Sequence, residues 1–303
     1  MVEVEKLNKL GDMLIDQSVP MKARYRALFT LKNLGGKDAI LNISKGFKDP
    51  SALLKHECAY CLGQMQDESA IDSLIEVLQN TSEDPMVRHE AGEALGAIGL
   101  NTENVVNVLT EFSKDLRPEV AETCQLALAR LEWLEKKKQG LGENLSDNPY
   151  YSVDPAPPDV NRDVKFLREK LLNEDESMFE RYRAMFQLRN DGRDEAILAL
   201  CDGLKCKSAL FRHEIAYVLG QIQSPLSIDA LRVNLEDATE NHMVRHECAE
   251  ALGSLATDEC VKILNNYLND KEVVVKESCE VALDITDYEK SGDFQYANGL
   301  LAV

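Results

Sequence analysis

The chain has 303 residues, 44% of them hydrophobic, enough to bury the core of one large or two medium domains. Its 53 acidic against 34 basic residues leave a net charge of -19, a field that repels nucleic acid and attracts cations and basic protein surfaces. The opening "MVEVEKLNKLGDML" lacks the basic-then-apolar order of a secretory signal. No later apolar run approaches the roughly 20 residues of a membrane span. A soluble, cytoplasmic protein without a nucleic-acid or membrane partner is therefore expected. Its eight cysteines (Cys58, Cys61, Cys124, Cys201, Cys206, Cys248, Cys260 and Cys279) are expected to be reduced, packed thiols.

Apolar residues recur at three- and four-residue spacing through "MKARYRALFTLKNL", then "SALLKHECAYCLGQM", then "PMVRHEAGEALGAIG", and no segment sustains a two-residue alternation. The pattern predicts helices throughout. Breaks such as "KDPSA", "NTSEDP" and "DLRP" fall every 12 to 18 residues and predict short helices joined by tight turns. Further on, "KKKQGLGENLSDNPYYSVDPAPPDV" loses the apolar period and gathers Pro, Gly, Asn and Asp, which predicts a linker over residues 136–160. Beyond it the first half returns. "SALFRHEIAYVLGQ" from Ser208 matches "SALLKHECAYCLGQ" from Ser51 at ten of fourteen positions, and "RYRAMFQLRN" from Arg181 matches "RYRALFTLKN" from Arg24, both 157 residues apart. Within each half a second period of 33 residues links His56 to His89 and His213 to His246. Units of that length with two helices each build an α-solenoid. The expectation is an all-α chain of about eight HEAT-like helix pairs in two duplicated halves, residues 1–135 and 161–303, facing each other across a hinge.

Four of the five histidines are followed by glutamate: His56-Glu57, His89-Glu90, His213-Glu214 and His246-Glu247. In a solenoid, matching places in successive repeats form a ladder, with adjacent helices about 8 to 10 Å apart. His56 and His89 can therefore converge, and so can His213 and His246. Two imidazoles plus one or two carboxylates form a set with open positions, suited to ferrous iron or another divalent first-row metal. Two such sets facing across the hinge would make a dinuclear centre. Zinc hydrolysis fits less well, because "HExxH" is absent and eight donors without cysteine suit a carboxylate-rich di-iron site better.

Other residues carry plainer readings. The symmetry mate of His242 is Pro85, so His242 is left out of the site. Cys58 and Cys61 form a "CxxC", but no second pair stands at zinc-ribbon spacing and Cys58 becomes Ile215 in the duplicate. Gly63, Gly96, Gly220 and Gly253 mark close helix approach or helix ends. Tyr60 and Tyr217 share a helix face with the histidine one turn before them, where packing or a hydrogen bond behind the metal ligands would both suit. Arg24 and Arg181 read as structural, with an inter-repeat carboxylate as a candidate partner.

With two halves of four HEAT-like repeats, an acidic linker and the motifs "KHE", "RHE", "RHE" and "RHE", the chain resembles the deoxyhypusine hydroxylase family over essentially its whole length. The resemblance implies a non-haem di-iron monooxygenase that uses molecular oxygen and a reductant to hydroxylate the deoxyhypusine side chain of eukaryotic translation initiation factor 5A, with two iron ions per chain. Carried onto this sequence, the iron ligands fall on His56, His89, His213 and His246, with Glu90 and Glu247 the favoured carboxylates. Glu57 and Glu214 either reach the metals or hold the substrate. A monomer suffices for such an arrangement. Two other classes stay in view: a non-catalytic HEAT-type adaptor, which would tolerate loss of the histidines, and a lyase or isomerase analogous to helical-repeat bilin lyases, which has no use for four His-Glu pairs.

Overall fold

The structure, a computed structural model, describes residues 4–301. Among the described residues the regular structure is sixteen α-helices with four short 3-10 turns and no strand. The chain forms two compact units. The first comprises residues 4–128 together with 291–301, and the second residues 129–290.

The first unit holds α1 (Val4–Ile15), α2 (Met21–Leu34), α3 (Lys37–Ser44), α4 (Ala52–Met65), α5 (Ile71–Gln79), α6 (Pro85–Ile98), α7 (Glu103–Phe112) and the start of α8 (Pro118–Lys138). The second holds α9 (Val164–Leu172), α10 (Met178–Asp191), α11 (Asp194–Gly203), α12 (Ala209–Ile222), α13 (Ile228–Glu236), α14 (His242–Leu255), α15 (Asp258–Asn265) and α16 (Val273–Ser291). These are eight consecutive helix pairs, four in each half, as the periodicity predicts. The 157-residue offset relates α2 to α10, α4 to α12 and α6 to α14, and becomes 155 from the cap residues Thr102 and Thr257 onward. A two-residue shortening of the turn after α14 accounts for the change.

The four helices that carry the His-Glu pairs are each fourteen residues long because their ends are fixed chemically. Ser51 Oγ accepts from Leu54 N and Ser208 Oγ from Phe211 N, each at 3.1 Å. Asp84 and Asn241 cap α6 and α14 in the same manner. These caps satisfy amides that would otherwise lack a helical acceptor. All four helices stop at a residue in the left-handed conformation: Gln66, Gly99, Gln223 and Ala256. At the first of these, Gln66 Nε2 also donates to Ala97 O in the next repeat at 2.8 Å.

Inner and outer helices differ in burial. The outer helix α5 buries four of nine residues on one face, whereas the inner helix α6 buries twelve of fourteen. Buried on nearly all sides, an inner helix must satisfy its polar residues within the protein. Arginines at equivalent positions do so by linking consecutive repeats. Arg24, Arg88 and Arg245 each donate Nε to a carbonyl ten residues earlier, at 2.8 to 3.0 Å. Each also pairs its Nη2 with an aspartate in the following turn: Asp49, Asp115 and Asp270, the last two at 2.6 Å. The inter-repeat carboxylate expected for Arg24 is therefore Asp49.

Two segments without long helices pack on the first inner helix of their own unit. Residues 139–163 run along α10, where Arg189, fully buried, donates to both carboxylate oxygens of Asp154 at 2.9 and 2.7 Å. Residues 291–301 return to α2, where Gly299 N donates to Thr30 Oγ1 at 2.8 Å and Tyr296 packs edge-on against Phe29 and under Arg26.

Candidate metal centre

Close helix approach creates the site. A Cβ built on Gly63 would lie 2.8 Å from Ala94 Cα, and one on Gly220 would lie 3.0 Å from Ala251 Cα. Only glycine lets α4 meet α6, and α12 meet α14, at that separation. Gly96 against Ala127 and Gly253 against Ala282 repeat the device one helix pair later. Of the two sequence readings for these glycines, close approach is the one the structure shows.

The approach sets two imidazoles side by side in each unit, their planes tilted by 45° and 38°. The His56 and His89 rings are 5.4 Å apart and those of His213 and His246 are 5.3 Å apart. The glutamate of the later helix then reaches back across the seam. Glu90 Oε2 lies 3.3 Å from His56 Nε2, and Glu247 Oε2 lies 3.4 Å from His213 Nε2 and 3.9 Å from His246 Nε2. In the first unit one ligand atom from each of His56, His89 and Glu90 lies within 4.8 Å of the other two. All eight residues of the His-Glu pairs are buried, none more than 8% exposed.

The structure thus brings together His56, His89 and Glu90 in one unit and His213, His246 and Glu247 in the other. Glu57 and Glu214 are buried beside their histidines on α4 and α12. The basic residue before each histidine points to a different partner: Lys55 to Glu83 at 2.6 Å, Arg88 to Asp115, Arg212 to Glu240 at 2.5 Å and Arg245 to Asp270. Those cations link repeats. Two imidazoles and a carboxylate within bonding reach of one point, with no thiol, form a donor set that fits a divalent first-row metal with open coordination positions.

One group at the site was missed in the sequence. Glu250, one turn after His246, brings Oε1 to 3.6 Å from His246 Nδ1. Glu93 holds the equivalent place after His89. A carboxylate behind a metal-binding imidazole fixes the ring and its tautomer. The signal was present as the i, i+4 spacing in "HEAGE" and "HECAE".

Of the remaining candidates, Tyr217 bonds within its own helix, and Cys58 and Cys61 are buried thiols. Tyr217 Oη accepts from Gln221 Nε2 at 3.0 Å, in a network with Ser152 and Arg189. Cys58 Sγ would lie 2.5 Å from a Cβ on Gly46 and so is packed against that turn. Burial raises both the Cys58 and Cys61 thiols far above their ordinary range. All eight cysteines are free thiols. No helix among the described residues is long and apolar enough to cross a membrane.

A solenoid of HEAT-like helix pairs with a buried His-His-Glu set in each half defines a class of helical-repeat protein equipped for metal chemistry. HEAT repeats match residues 7–84 and 43–129, and the PBS lyase HEAT-like repeat matches residues 211–237 and 244–270. Deoxyhypusine hydroxylase of Mus musculus is 59% identical over 300 residues, covering 99% of this chain and 98% of its own length. That of Drosophila melanogaster is 55% identical over 302 residues, with 99% and 98% covered. The solved structure of human deoxyhypusine hydroxylase in complex with glycerol superposes with a TM-score of 0.89 at 57% identity, covering 94% of this chain and 97% of that one. The chain belongs to the deoxyhypusine hydroxylase family.

Proposed function

We propose that this chain is a non-haem di-iron monooxygenase that hydroxylates the deoxyhypusine side chain of eukaryotic translation initiation factor 5A, completing hypusine. Full-length identity to curated deoxyhypusine hydroxylases supports the substrate. The observation that carries the chemistry is the twofold recurrence of one geometry, an imidazole pair 5.4 or 5.3 Å apart with a carboxylate 3.3 or 3.4 Å from the first ring.

In this reading His56, His89 and Glu90 hold one iron, and His213, His246 and Glu247 hold a second. Glu93 and Glu250 orient the rings of His89 and His246. Iron, when bound, supplies the activation of molecular oxygen that a C–H bond of this kind requires, with electrons from a reductant. The protein's own part is to hold the donors rigidly in a buried setting and to position the substrate. Deoxyhypusine is lysine extended by an aminobutyl arm, so it presents two cationic nitrogens on a flexible chain. Glu57 and Glu214, buried beside the metal-binding histidines, either complete the donor sets or hold those nitrogens. The net charge of -19 favours encounter with such a polycation. The enzyme acts as a cytoplasmic monomer; its cysteines, seven of the eight buried, suit a reducing compartment.

The test compares Glu57→Ala with His56→Ala. Glu57→Ala is expected to lose most turnover while keeping more iron than His56→Ala. Equal and complete iron loss in both would overturn the division of roles, and a parent chain that neither takes up iron nor turns over substrate would favour a non-catalytic repeat protein.

A further inference from the structure

Four arginines at the same place in the repeat donate Nε to a carbonyl ten residues earlier, and one of them lacks the partner the other three have. Arg181 is 4% exposed and donates its Nε to Leu171 O at 2.9 Å, the bond that Arg24, Arg88 and Arg245 make in their repeats. That bond fixes the guanidinium, so Nη2 aims at the turn that follows. In the other three repeats the turn supplies an aspartate. Here the residue two before the helix cap, equivalent to Asp49, is Cys206, and Arg181 Nη2 has no hydrogen-bond partner.

A buried guanidinium nitrogen left unsatisfied is a defect that native proteins rarely carry. The surroundings offer partial compensation only. Arg181 stacks over the Phe211 ring at 4.1 Å. The charge of Glu174 is felt at Arg181, but that carboxylate is bonded to Lys207, through Nζ at 2.5 Å and the backbone amide at 2.9 Å. Arg212 clamps the turn by donating to the carbonyls of Cys206 and Lys207. Cys206 itself is 6% exposed and sits in a turn between the exposed Lys205 and Lys207, one residue from solvent on either side.

We propose that Cys206 is an oxidation site whose sulfinate takes the place of the missing aspartate and pairs with Arg181. A cysteine sulfinate carries two oxygens and one negative charge beyond a single methylene, the same pattern as an aspartate side chain. The oxidant is a hydroperoxide. In the first step the sulfur attacks one oxygen of hydrogen peroxide, the O–O bond breaks, an S–O bond forms, and sulfenic acid and water result. A second peroxide adds the second oxygen in the same way, yielding sulfinate, water and a proton; sulfur loses two electrons at each step. Burial raises the Cys206 thiol; the charge and side-chain contact of Arg181 and the charge of Arg212 oppose that, although the contact forms no hydrogen bond that satisfies Nη2. Oxidation is therefore slow, and its product is held by the ion pair.

Two measurements test this. Cys206→Asp installs the carboxylate directly, and its Tm is expected to rise by about 2 to 5 °C through charged hydrogen bonds to Arg181. The gain should vanish in an Arg181→Met background, as pairwise coupling requires. A Cys206→Asp variant that melts no higher than the parent would overturn the pairing. In parallel, prolonged exposure of the purified protein to dilute hydrogen peroxide should add about 32 Da to the peptide containing Cys206 ahead of the other cysteines. Its Tm should rise in step, with no such rise for Cys206→Ser. Oxidation elsewhere with Cys206 still reduced, or oxidation of Cys206 with a lower Tm, would overturn the modification.

Discussion

At the scale of single residues, the histidines and their glutamates were legible because four repeats of the same dipeptide at fixed intervals have no bland explanation. Their division of labour was less legible. Sequence places Glu90 next to His89, yet its carboxylate lies 3.3 Å from His56 on the neighbouring helix. Successive helical side chains diverge by about 100°, so the partner of such a glutamate is set by the adjacent repeat. Glu250 went unread for a related reason, since an i, i+4 carboxylate matters only once the histidine is known to face a site. If Glu250 orients His246, Glu250→Gln should reduce iron affinity by roughly 10- to 100-fold while leaving the fold intact, measured by competition with a chelator. Unchanged affinity would make Glu250 a bystander.

At the scale of elements, the helix count and turn positions followed from the apolar period and from stop signals such as "KDPSA", while helix spacing did not. A glycine near a helix end reads equally as a terminator or as a point of contact, and only the facing Ala94 distinguishes the two. Gly63→Val forces side-chain atoms into Ala94 Cα and should destabilise the protein by about 1 to 3 kcal/mol, parting His56 from His89. Its unfolding midpoint in urea and its iron content should fall together; a loss of stability with full iron retention would show that the seam does not set the site. The helix ends offer a converse case. Ala256 holds φ 54° where its counterpart is Gly99. Ala256→Gly should stabilise by up to about 1 kcal/mol by removing the Cβ clash of the left-handed conformation. Thermal denaturation checks it, and a lower Tm would contradict the account of that cap.

At the scale of the whole molecule, duplication was legible as a 157-residue offset, but the grouping of residues 291–301 with the first unit was not. Contacts such as Gly299 with Thr30 join positions 269 apart, and no local pattern reports them. The packing of residues 139–163 was hidden likewise, because a stretch rich in Pro, Gly and Asn looks the same whether loose or held by a buried arginine. Charge pairs distributed through the repeats also give the molecule a pH profile. Hydrogen bonding from Arg245 holds Asp270 below its ordinary value of 3.8, and at Asp115 the Arg88 bond and the Arg117 amide outweigh the upward push of burial. A depressed carboxylate contributes stability that is fully present above the unfolded value and is lost as pH falls through the lower folded one. Unfolding free energy should therefore decline below about pH 4, and Asp270→Asn should flatten that decline while lowering stability at neutral pH. An unaltered acid limb in Asp270→Asn would show that other groups control it.

The central claim is that two halves of one duplicated solenoid each hold a metal ion through a His-His-Glu set. The direct measurement is the iron content of the purified chain after anaerobic loading with ferrous iron, beside His89→Ala and His246→Ala. The account predicts about two irons per intact chain and a substantial loss in each variant, as befits donor sets of two imidazoles and a carboxylate. An intact chain that takes up no iron, or variants that retain all of it, would contradict it.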